Sequence, residues 1–458
     1  MGVTFLFKSW RCTLLNQILE SEHSLPMTRE YDLVVAGGGP AGFSAALSAA
    51  RSGVSVTLIE LGGALGGVWT QGLLSYILDA HGKSGILDEI VSELKNVQGY
   101  LHTPHPPNGS SYIGDSDWTY DSEAMKFVLE KLAKSASIHI EYHSRVVNAF
   151  VKDRLITHVV IENNSGRSAI AAKQFIDATG NGDLGFFAGA SYEVGHPQSG
   201  EVQPATLVAI ISGFPEGMQN TLQGDAKIAL HQKFAHYGSE LSYRRPVFVR
   251  LPHPNLAAVF LNHQYSVSHD DNSGITKATI EAREEVFKAI ANIRRDPEWS
   301  QARVIQTANF IGLREGRRLN GLYKLSVADL QNGAKFDDAI CLVHLPVDLH
   351  SVNKKDEKAA GEKEATSYNA GLTAKPYQIP ARSLISSDVD NLMMAGRCVS
   401  GDFYAHASYR VTGNAVPMGE AAGFIAAKSA AENISPKDYL TQNPGAITAE
   451  MAGRGYLL

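Results

Sequence analysis

The spacing of apolar positions near the N-terminus predicts a strand, a helix and a second strand in close succession. Residues 31–36 form a short apolar run, residues 43–51 are rich in alanine, and residues 54–59 are apolar again. Short apolar runs are typical of buried strands, whereas the alanine-rich stretch favours a helix. We therefore interpret residues 31–60 as one βαβ unit, the unit with which many α/β proteins bind a dinucleotide.

The next part of the chain predicts two helices followed by a β-rich stretch. The helices cover 84–97 and 121–135, and the Pro, Gly and Ser residues of 102–116 indicate a surface loop between them. From 138 to 176 the pattern changes to β-rich runs, with a turn at 163–166 that predicts a hairpin. This succession indicates a β-meander inserted into a Rossmann-type sheet.

The middle of the chain mixes strands with one long helix. Strands are predicted at 205–211, 247–251 and 257–261, and the helix at 275–294. This mixture indicates an α+β substrate domain. Its charged end, 354–375, indicates either a solvated surface segment or a mobile loop.

The last part of the chain returns to the pattern of the first unit. An apolar run at 392–395 ends in Gly396, and residues 413–430 predict a helix of small residues. The first and last thirds are therefore expected to share one α/β domain. The predicted division is a discontinuous nucleotide-binding domain at 30–185 and 376–440, a substrate domain at 186–375 and an N-terminal extension at 1–29.

Length and composition allow a large core and argue against several classes of function. With 458 residues, 44% of them hydrophobic and 19% charged, the chain is long enough for two domains. Its formal charge of -6 and its lack of Lys/Arg clusters argue against nucleic acid as a partner. Cys12, Cys341 and Cys398 are too far apart for a C-x-x-C pair or an iron–sulfur cluster, so we expect no metal site. Redox chemistry would need an organic cofactor.

The sequence contains no uncharged apolar run of about 18 residues, so we expect a cytoplasmic protein without a membrane span. Lys8 and Arg11 flank a short apolar stretch that has no convincing cleavage site. An extension without structural importance is therefore favoured over a weak targeting signal. A homo-oligomer is compatible with the sequence.

The turn of the βαβ unit matches the pattern G-x-G-x-x-G, since it reads Gly37-Gly38-Gly39-Pro40-Ala41-Gly42. Gly37 permits the tight bend, Gly39 lets the backbone approach a pyrophosphate, and Gly42 lets helix and strand pack closely. Glu60 ends the second strand, where a carboxylate can accept both ribose hydroxyl groups of an adenosine. The alternative is a purely structural glycine loop. The pattern does not distinguish FAD from NAD.

Two later segments bear on that choice. One reads Phe175-Ile176-Asp177-Ala178-Thr179-Gly180, and the other reads Asn391-Leu392-Met393-Met394-Ala395-Gly396-Arg397 and continues with Ser408-Tyr409-Arg410-Val411-Thr412-Gly413-Asn414. With these segments, most of the chain resembles the FAD-dependent oxidoreductase family of the glutathione-reductase-like superfamily. The resemblance implies FAD as the cofactor and a Rossmann-type FAD-binding domain.

The resemblance also implies positions for individual residues along the cofactor. Thr179 and Gly180 would lie beside its adenosine end, and the helix start at Gly413, Asn414 and Ala415 would stabilise negative charge on the pyrimidine side of the flavin. The loop 62–72 would line the flavin, with Gly67 in close approach. Trp69 and Thr70 of this loop would pack on or bond to the ring, with plain loop packing as the alternative for Trp69.

The C-terminal segment departs from the superfamily pattern at one position. Arg397 follows Gly396, where the superfamily usually has Gly-Asp, and Asp402 is the expected substitute for the ribityl or pyrophosphate contact. Val146, in the β-rich stretch, completes the predicted cofactor-binding residues. The run 180–185 also matches G-x-G-x-x-G, but the stretch 186–190 is too short for the crossover helix that an NAD site needs.

The candidates for substrate chemistry are polar residues of the flavin-side segment and the substrate domain. His406 is the favoured proton acceptor, because removal of a hydride from an alcohol or amine carbon accompanies removal of a proton. A structural, hydrogen-bonded histidine is the alternative. The run 314–318 contains arginines for a substrate carboxylate, although an ion-paired helix face is the more frequent explanation. Arg410 and His350 are the other predicted catalytic residues, and the wider set contains Tyr409, Arg314, Arg317, His344 and Asp348.

The sequence thus predicts an FAD-dependent dehydrogenase or oxidase. A small polar substrate would pass a hydride from an alcohol or amine carbon to flavin N5, and oxygen or an external acceptor would reoxidise the flavin. Two alternatives stay open at this point. One is a flavin-dependent reductase fed by a partner, and the other is a flavin-binding scaffold without redox turnover.

Overall fold

The computed structural model describes residues 24–103, 118–222, 224–353 and 372–458. Its helices are α1 (Pro40–Arg51), α2 (Ile86–Asn96), α3 (Ser122–Ser135), α4 (Asp183–Phe187), α5 (Gly224–His236), α6 (Asn272–Ile293), α7 (Val327–Asn332), α8 (Phe403–Tyr409), α9 (Thr412–Glu432), α10 (Pro436–Gln442) and α11 (Ala446–Gly453). Its strands are β1 (Met27–Ala36), β2 (Val56–Ile59), β3 (Tyr76–Ile77), β4 (Tyr100–His102), β5 (Trp118–Tyr120), β6 (His139–Glu141), β7 (Arg145–Lys152), β8 (Leu155–Asn163), β9 (Gly166–Asp177), β10 (Tyr192–Glu193), β11 (Ala209–Ser212), β12 (Val247–Arg250), β13 (Ala257–Phe260), β14 (Arg303–Thr307), β15 (Arg318–Leu319), β16 (Ala339–Val343), β17 (Tyr377–Pro380) and β18 (Leu392–Met394).

The main sheet is built around parallel strands in the order β6-β2-β1-β9, and β18 runs parallel to the end of β9. The second half of β1, from Leu33 to Ala36, has no exposed surface, as expected for a parallel strand covered on both faces. The predicted mixed α/β fold with a parallel sheet is thereby confirmed. The helix and both strands of the predicted βαβ unit are α1, β1 and β2.

One edge of β9 has two different partners. Its first half pairs antiparallel with β8, which pairs antiparallel with β7, and its last residues, Phe175–Asp177, pair parallel with β18. Asn391 lies where the two partners meet. Its side chain donates to the carbonyl oxygens of Ile156 and Lys173 and accepts from the Ile156 amide at 2.9 Å. These bonds replace the strand pairing that is interrupted at the fork.

The first strand begins earlier than the sequence pattern predicted. β1 starts at Met27 rather than at residue 31, and the Ala169 amide donates to the carbonyl oxygen of Pro26 at 2.9 Å. Residues 27–30 are exposed, so they carry no apolar signal. Their backbone pairing with β9 makes them strand residues nonetheless.

A second, antiparallel sheet has the order β12-β13-β11-β14. Helix α6 packs against β14 and α5, and this layer has its own core around Phe248, Val286 and Trp299. The strand predicted at 205–211 begins only at Ala209, because the preceding residues make isolated bridges at Ala205 and Thr206. The division of the chain into domains stays a prediction.

Two predicted loops lie largely outside the described residues. They are 102–116, of which 104–116 is not described, and 354–375, of which 354–371 is not described. In the described part of the chain, no helix combines the length and the apolarity that a membrane crossing requires. The described residues also bring together no group of three or more His, Cys, Asp or Glu side chains that could hold a metal ion.

Helices α1 and α9 pack with their backbones in close approach. A Cβ atom added to Gly419 would come within less than 3.0 Å of the carbonyl of Ala41, and one added to Gly423 would do the same at Ala45. Real Cβ atoms essentially never come so close to backbone atoms. This contact therefore requires glycine, and it fixes α9 on the first βαβ unit.

Replacement of Gly423 by alanine tests this packing. The added methyl group has to push α9 away from α1, so we expect Gly423→Ala to lower the free energy of unfolding by about 1–3 kcal/mol. Urea unfolding followed by circular dichroism measures the change. Gly453→Ala is the matched control. Gly453 is also a helical glycine, at the end of α11, but a Cβ there meets no atom within 4 Å. Equal losses in the two variants would contradict the packing argument.

Candidate FAD-binding and substrate site

The three motif glycines of the turn between β1 and α1 differ in the space that a Cβ atom would find. Gly37 has a φ of +98°, and a Cβ there would lie within less than 3.0 Å of the Ala178 carbonyl. A Cβ on Gly42 would meet the Gly37 carbonyl oxygen equally closely, whereas one on Gly39 would meet no atom within 4 Å. Gly37 and Gly42 are thus required by protein packing. Gly39 faces open space, as a residue that a pyrophosphate approaches would.

The start of α1 offers backbone donors at this place. Gly39 is its N-cap residue and Pro40 its first residue, and no side chain caps the helix. The first N–H groups of a helix have no partner within the helix and attract anions. Ala41 lies beside Gly396, whose Cβ position would be 3.1 Å from the Ala41 Cβ, so the C-terminal segment adjoins the same turn.

Glu60 is held at the end of β2 by backbone amides. Its carboxylate accepts from the amides of Gly38 and Gly62, each at 2.7 Å, and the residue is buried. Burial raises the pKa of Glu60, although both amide bonds act in the opposite direction. Each carboxylate oxygen keeps a second lone pair, so the group fits an adenosine ribose. Val146 is buried in β7, two residues after Ser144, whose amide donates to the Glu60 carbonyl oxygen at 3.0 Å.

The loop that follows Glu60 folds back onto the glycine-rich turn. Gly67 begins a short 3-10 helix, Gly67–Trp69, and its Cβ position would be 3.0 Å from the Gly39 Cα. Trp69 has no exposed surface and packs edge-on against Tyr120, and the Thr70 hydroxyl donates to the Leu65 carbonyl at 2.6 Å. These contacts pack Trp69 within the protein, but its buried indole N–H has no hydrogen-bond partner among the described residues, so its contact with the flavin ring stays a prediction. Gly67 lies beside the glycine-rich turn, and its close approach to the flavin likewise stays a prediction.

The second motif is organised by Asp177, a residue that the sequence reasoning did not single out. This fully buried carboxylate accepts from the Thr179 hydroxyl at 2.7 Å, the Thr179 amide at 3.0 Å and the Gly185 amide at 2.8 Å. Burial raises its pKa. The signal in the sequence was an acid directly before Ala-Thr-Gly at the end of an apolar strand. Gly180 has a φ of +76°, and α4 has only five residues, too few for a crossover helix.

The third motif connects to the second through Arg397. Its guanidinium donates to the Gly180 carbonyl at 3.3 Å and to the Asn181 side chain at 3.4 Å. Asp402 is the N-cap of α8, and its two oxygens accept from the amides of Ala405 at 2.7 Å and Val327 at 2.8 Å. These capping bonds explain Asp402 without a cofactor. Its predicted contact with the ribityl or pyrophosphate stays a prediction.

The start of α9 contains an unsatisfied polar side chain. Asn414 has no exposed surface, and neither atom of its amide has a hydrogen-bond partner among the described residues. Gly413 is pressed against the Leu78 and Asp79 carbonyls, and Ala415 is buried. Buried polar groups are normally bonded. A cofactor with polar atoms at this helix start would fit the orphaned amide, and the residues here are compatible with a flavin.

A buried ion pair lies directly against this helix start and was missed by the sequence reasoning. Lys83 Nζ and Asp79 Oδ1 are 3.0 Å apart, and both side chains are fully buried. Burial alone would raise the pKa of Asp79, but Lys83 and His344 hold it below its ordinary value. Asp79 also accepts from the His344 amide at 3.2 Å, and the His344 ring packs edge-on against His81. His344 therefore lies next to the Asp79–Lys83 ion pair and bonds to it.

A second polar group, here called the His350 cluster, joins Arg410 to the middle of the chain. Arg410 donates to the Asp348 carbonyl at 2.9 Å and to Asp348 Oδ2 at 3.3 Å, and His350 Nε2 lies 3.6 Å from the same oxygen. Gln203 accepts from the His350 amide at 2.9 Å and donates to Glu315 at 2.9 Å. The Asp348 side chain is 40% exposed, so the cluster reaches the protein surface. It consists of Gln203, Glu315, Asp348, His350 and Arg410.

The surroundings of the His350 cluster shift the pKa values of its members. Burial lowers the pKa of His350 to about 4, and Arg314 acts in the same direction. Burial would raise the pKa of Asp348, but His350, Arg410 and Arg314 lower it. Near neutral pH the cluster therefore contains a neutral imidazole beside a carboxylate and a guanidinium.

His406 has a different environment. It lies in α8, has no exposed surface, and neither ring nitrogen has a hydrogen-bond partner among the described residues. Burial, together with Arg318 and Arg410, holds its pKa well below the ordinary value. Tyr409 packs edge-on against it and donates to the Val399 carbonyl at 2.8 Å. A side chain without accessible surface cannot meet a substrate without a rearrangement.

The arginines of 314–318 do not form one surface. Arg314 donates to Thr206 at 3.0 Å and to the Pro204 carbonyl. Arg317 pairs with Asp183 at 3.0 Å and lies over the Phe186 ring, and Arg318 donates to the carbonyls of Gly401 and Gly195, each at 3.1 Å. Arg314 acts on the His350 cluster through its charge on His350 and Asp348, and Arg318 acts on its member Glu315. The run is thus divided among three sites.

A family model described as FAD dependent oxidoreductase matches residues 32–443. The chain belongs to this family, and FAD is its cofactor. It is an enzyme of the oxidoreductase class. No curated protein matches the sequence.

Two solved structures show the level of likeness to proteins of known structure. A geranylgeranyl bacteriochlorophyll reductase-like protein from Thermoplasma acidophilum has 15% identity and a TM-score of 0.47, over 93% of this chain and 83% of that one. The p-nitrophenol 4-monooxygenase PnpA from Pseudomonas putida DLL-E4 has 12% identity and a TM-score of 0.49, over 94% and 88%. Likeness at this level does not indicate a substrate.

Replacement of Gly39 by valine should separate cofactor binding from folding. Because Gly39 faces open space, we expect Gly39→Val to fold and to lose FAD, since its side chain takes the room of the pyrophosphate. Circular dichroism reports the fold, and chromatography of heat-released cofactor reports FAD. Gly224→Val is the control. A Cβ at this exposed glycine also meets nothing within 4 Å, but Gly224 lies at the start of α5 and not in the glycine-rich turn. Full FAD content in Gly39→Val would place the cofactor elsewhere.

Proposed function

We propose that FAD lies across the three motifs in the arrangement of the glutathione-reductase-like superfamily. Its ribose would bind Glu60, its pyrophosphate would lie over Gly39 at the start of α1, and its flavin would adjoin the start of α9. Three features support this order: the open space at Gly39, the two amides that fix Glu60, and the orphaned amide of Asn414.

The protein would be a dehydrogenase or oxidase that acts on a small polar substrate in the cleft of the His350 cluster. Bound FAD supplies the two-electron chemistry, because it accepts a hydride from an alcohol or amine carbon and later passes both electrons to oxygen or an external acceptor. The observation that carries the proposal is the position of Arg410. This residue ends α8, stands one residue before the N-cap of α9, and bonds to Asp348 in the cleft. The substrate cleft and the flavin-facing helix start are thus consecutive in the chain.

We assign the proton acceptor to His350 rather than to His406. As the substrate carbon loses its hydride, the proton on its oxygen or nitrogen would pass to the neutral imidazole of His350. Asp348, 3.6 Å from Nε2, would stabilise the imidazolium that forms. Unlike His406, the His350–Asp348 pair opens to the cleft through an exposed carboxylate.

The test of the general function is anaerobic bleaching of the flavin by a metabolite. Sugars, polyols, amino acids and hydroxy acids would be mixed with the purified protein, and the loss of visible flavin absorbance recorded. Stoichiometric bleaching by one of them establishes a substrate. If none bleaches the flavin and a reductant bleaches it normally, the alcohol or amine oxidation is wrong.

Removal of each histidine distinguishes the two assignments. We expect His350→Ala to keep its FAD and to slow substrate-driven flavin reduction about a hundredfold or more, the usual loss when a general base is removed. His406→Ala should have a much smaller effect, because His406 has no accessible surface. Anaerobic stopped-flow spectroscopy measures both rates. The reverse ranking would return the role to His406.

The pH dependence of the reduction rate provides a further check. Because the pKa of His350 is lowered to about 4, the imidazole is already neutral at pH 6, where an ordinary histidine would be largely protonated. The rate should therefore stay level on acidification to about pH 5 and fall only as the pH approaches 4. Stopped-flow rates between pH 4 and 8 measure this. A fall centred near pH 6.5 would show that the base is a histidine of ordinary pKa.

A further inference from the structure

The loop between β3 and α2 carries two charges into the interior beside the start of α9. Asp79 and Lys83 of this loop are fully buried, and Lys83 Nζ lies 3.0 Å from Asp79 Oδ1. The carbonyl oxygens of Leu78 and Asp79 face Gly413, the second residue of α9, so closely that a Cβ atom there would lie less than 3.0 Å from both. The Asp79–Lys83 pair is therefore packed directly behind this helix start.

The backbone of Asp79 connects the pair to two elements. Its φ of +60° lies in the left-handed region, which is uncommon for a residue other than glycine. Its carbonyl faces α9, while its carboxylate accepts from the amides of His344 and Leu345, which follow β16, at 3.2 and 3.3 Å. His344 Nδ1 lies 3.7 Å from Asp79 Oδ1. The ion pair is thus held in one place from both sides.

The pair is ionised in surroundings that are otherwise neutral. Burial alone would raise the pKa of Asp79, but Lys83 and His344 hold it below its ordinary value, so the carboxylate is charged near pH 7. Burial raises the pKa of the Cys341 thiol to about 12 and the pKa of Tyr377 well above its ordinary value. Both of these neighbouring groups are therefore uncharged.

Stability alone is a poor explanation for this pair. Removal of two charges from water costs free energy that their attraction offsets only in part, so a buried ion pair is often no better than two apolar side chains. Burial does preserve the reach of the charges, because the effective dielectric constant is lower in the interior and salt screens buried charges little. Each charge of the pair therefore acts on groups several ångströms away.

We infer that the Asp79–Lys83 pair sets the reduction potential of the bound FAD, with Lys83 favouring the reduced flavin and Asp79 opposing it. The inference rests on the proposed function in one respect, since it takes the flavin to adjoin the start of α9. Uptake of two electrons and one proton leaves a negative charge on the pyrimidine side of the flavin, and a nearby positive charge stabilises that form. The electron affinity of the cofactor would thus depend on two side chains that are buried from solvent.

The reduction potential can be measured without a substrate. The FAD-bound protein is reduced slowly without oxygen beside a dye of known potential, and the two absorbance changes are compared. In Lys83→Met the buried carboxylate loses its counter-charge, so we expect the ratio of reduced to oxidised flavin at a fixed potential to fall about tenfold, a lowering of about 30 mV for a two-electron couple. Asp79→Asn should raise the ratio, because Lys83 keeps its charge. Asparagine tolerates a positive φ as aspartate does, so the backbone is retained.

Opposite shifts in the two variants are a result that a merely structural pair would not produce. Lys277→Met is the control, because Lys277 forms an exposed pair of the same spacing, 3.7 Å from Glu281, and its loss should leave the potential unchanged. Lys83→Arg keeps the positive charge and should restore most of the potential. Unchanged potentials in Lys83→Met and Asp79→Asn, with FAD bound, would overturn the inference, as would shifts in the same direction. If Lys83→Met fails to fold, Lys83→Gln provides the same comparison.

This inference and the proposed function can fail separately. Asn414→Leu removes the orphaned amide at the start of α9, so it should change the visible spectrum or the amount of bound FAD if the flavin adjoins this place. If Asn414→Leu has that effect and the potentials do not shift, the flavin position stands and the role of the pair is wrong. If none of these variants affects the flavin, both are wrong. If the potentials shift but no metabolite bleaches the flavin, the role of the pair stands and the alcohol or amine oxidation is wrong.

Discussion

The close contact of α1 with α9 is the constraint on which the rest of the site depends. It brings the carbonyls of Ala41 and Ala45 against the two glycines of α9, so α9 packs directly on the first βαβ unit. The glycine-rich turn at the start of α1 and the orphaned amide of Asn414 at the start of α9 are thereby fixed relative to each other. A larger side chain at either glycine would move both helix starts at once. The separation of the two helix starts is therefore set by backbone contact.

Local rules account for the parts that the sequence predicted. Gly37 has a positive φ, and Gly42 lies against the Gly37 carbonyl a few residues away. Such local requirements leave a pattern that can be recognised in a short stretch of sequence. The alternation and length of apolar runs likewise predicted the parallel sheet and the long helices α6 and α9. The start of β1 was misplaced because residues 27–30 have backbone pairing without buried side chains.

The missed residues depend on partners that are distant in the sequence. Asp177 is close to its partners, but its importance follows from complete burial, which the pattern of a strand end does not reveal. The Asp79–Lys83 pair has the spacing of an ordinary exposed helical ion pair and is instead buried against the start of α9. Gln203 and Glu315, which are hydrogen-bonded at 2.9 Å, meet only through the folding of the middle of the chain. His406 was favoured for its place in the sequence, and no single-sequence signal indicates its complete burial.

The forked edge of β9 has a consequence for the way this protein is made. The antiparallel partner β8 is joined to β9 by a tight turn, so that half of the edge can pair as soon as it leaves the ribosome. The parallel partner β18 and the helix α9 are synthesised only after the whole middle of the chain. Contacts between such distant segments form slowly. During translation the edge of the sheet at Phe175–Asp177 therefore stays unpaired until β18 has been synthesised.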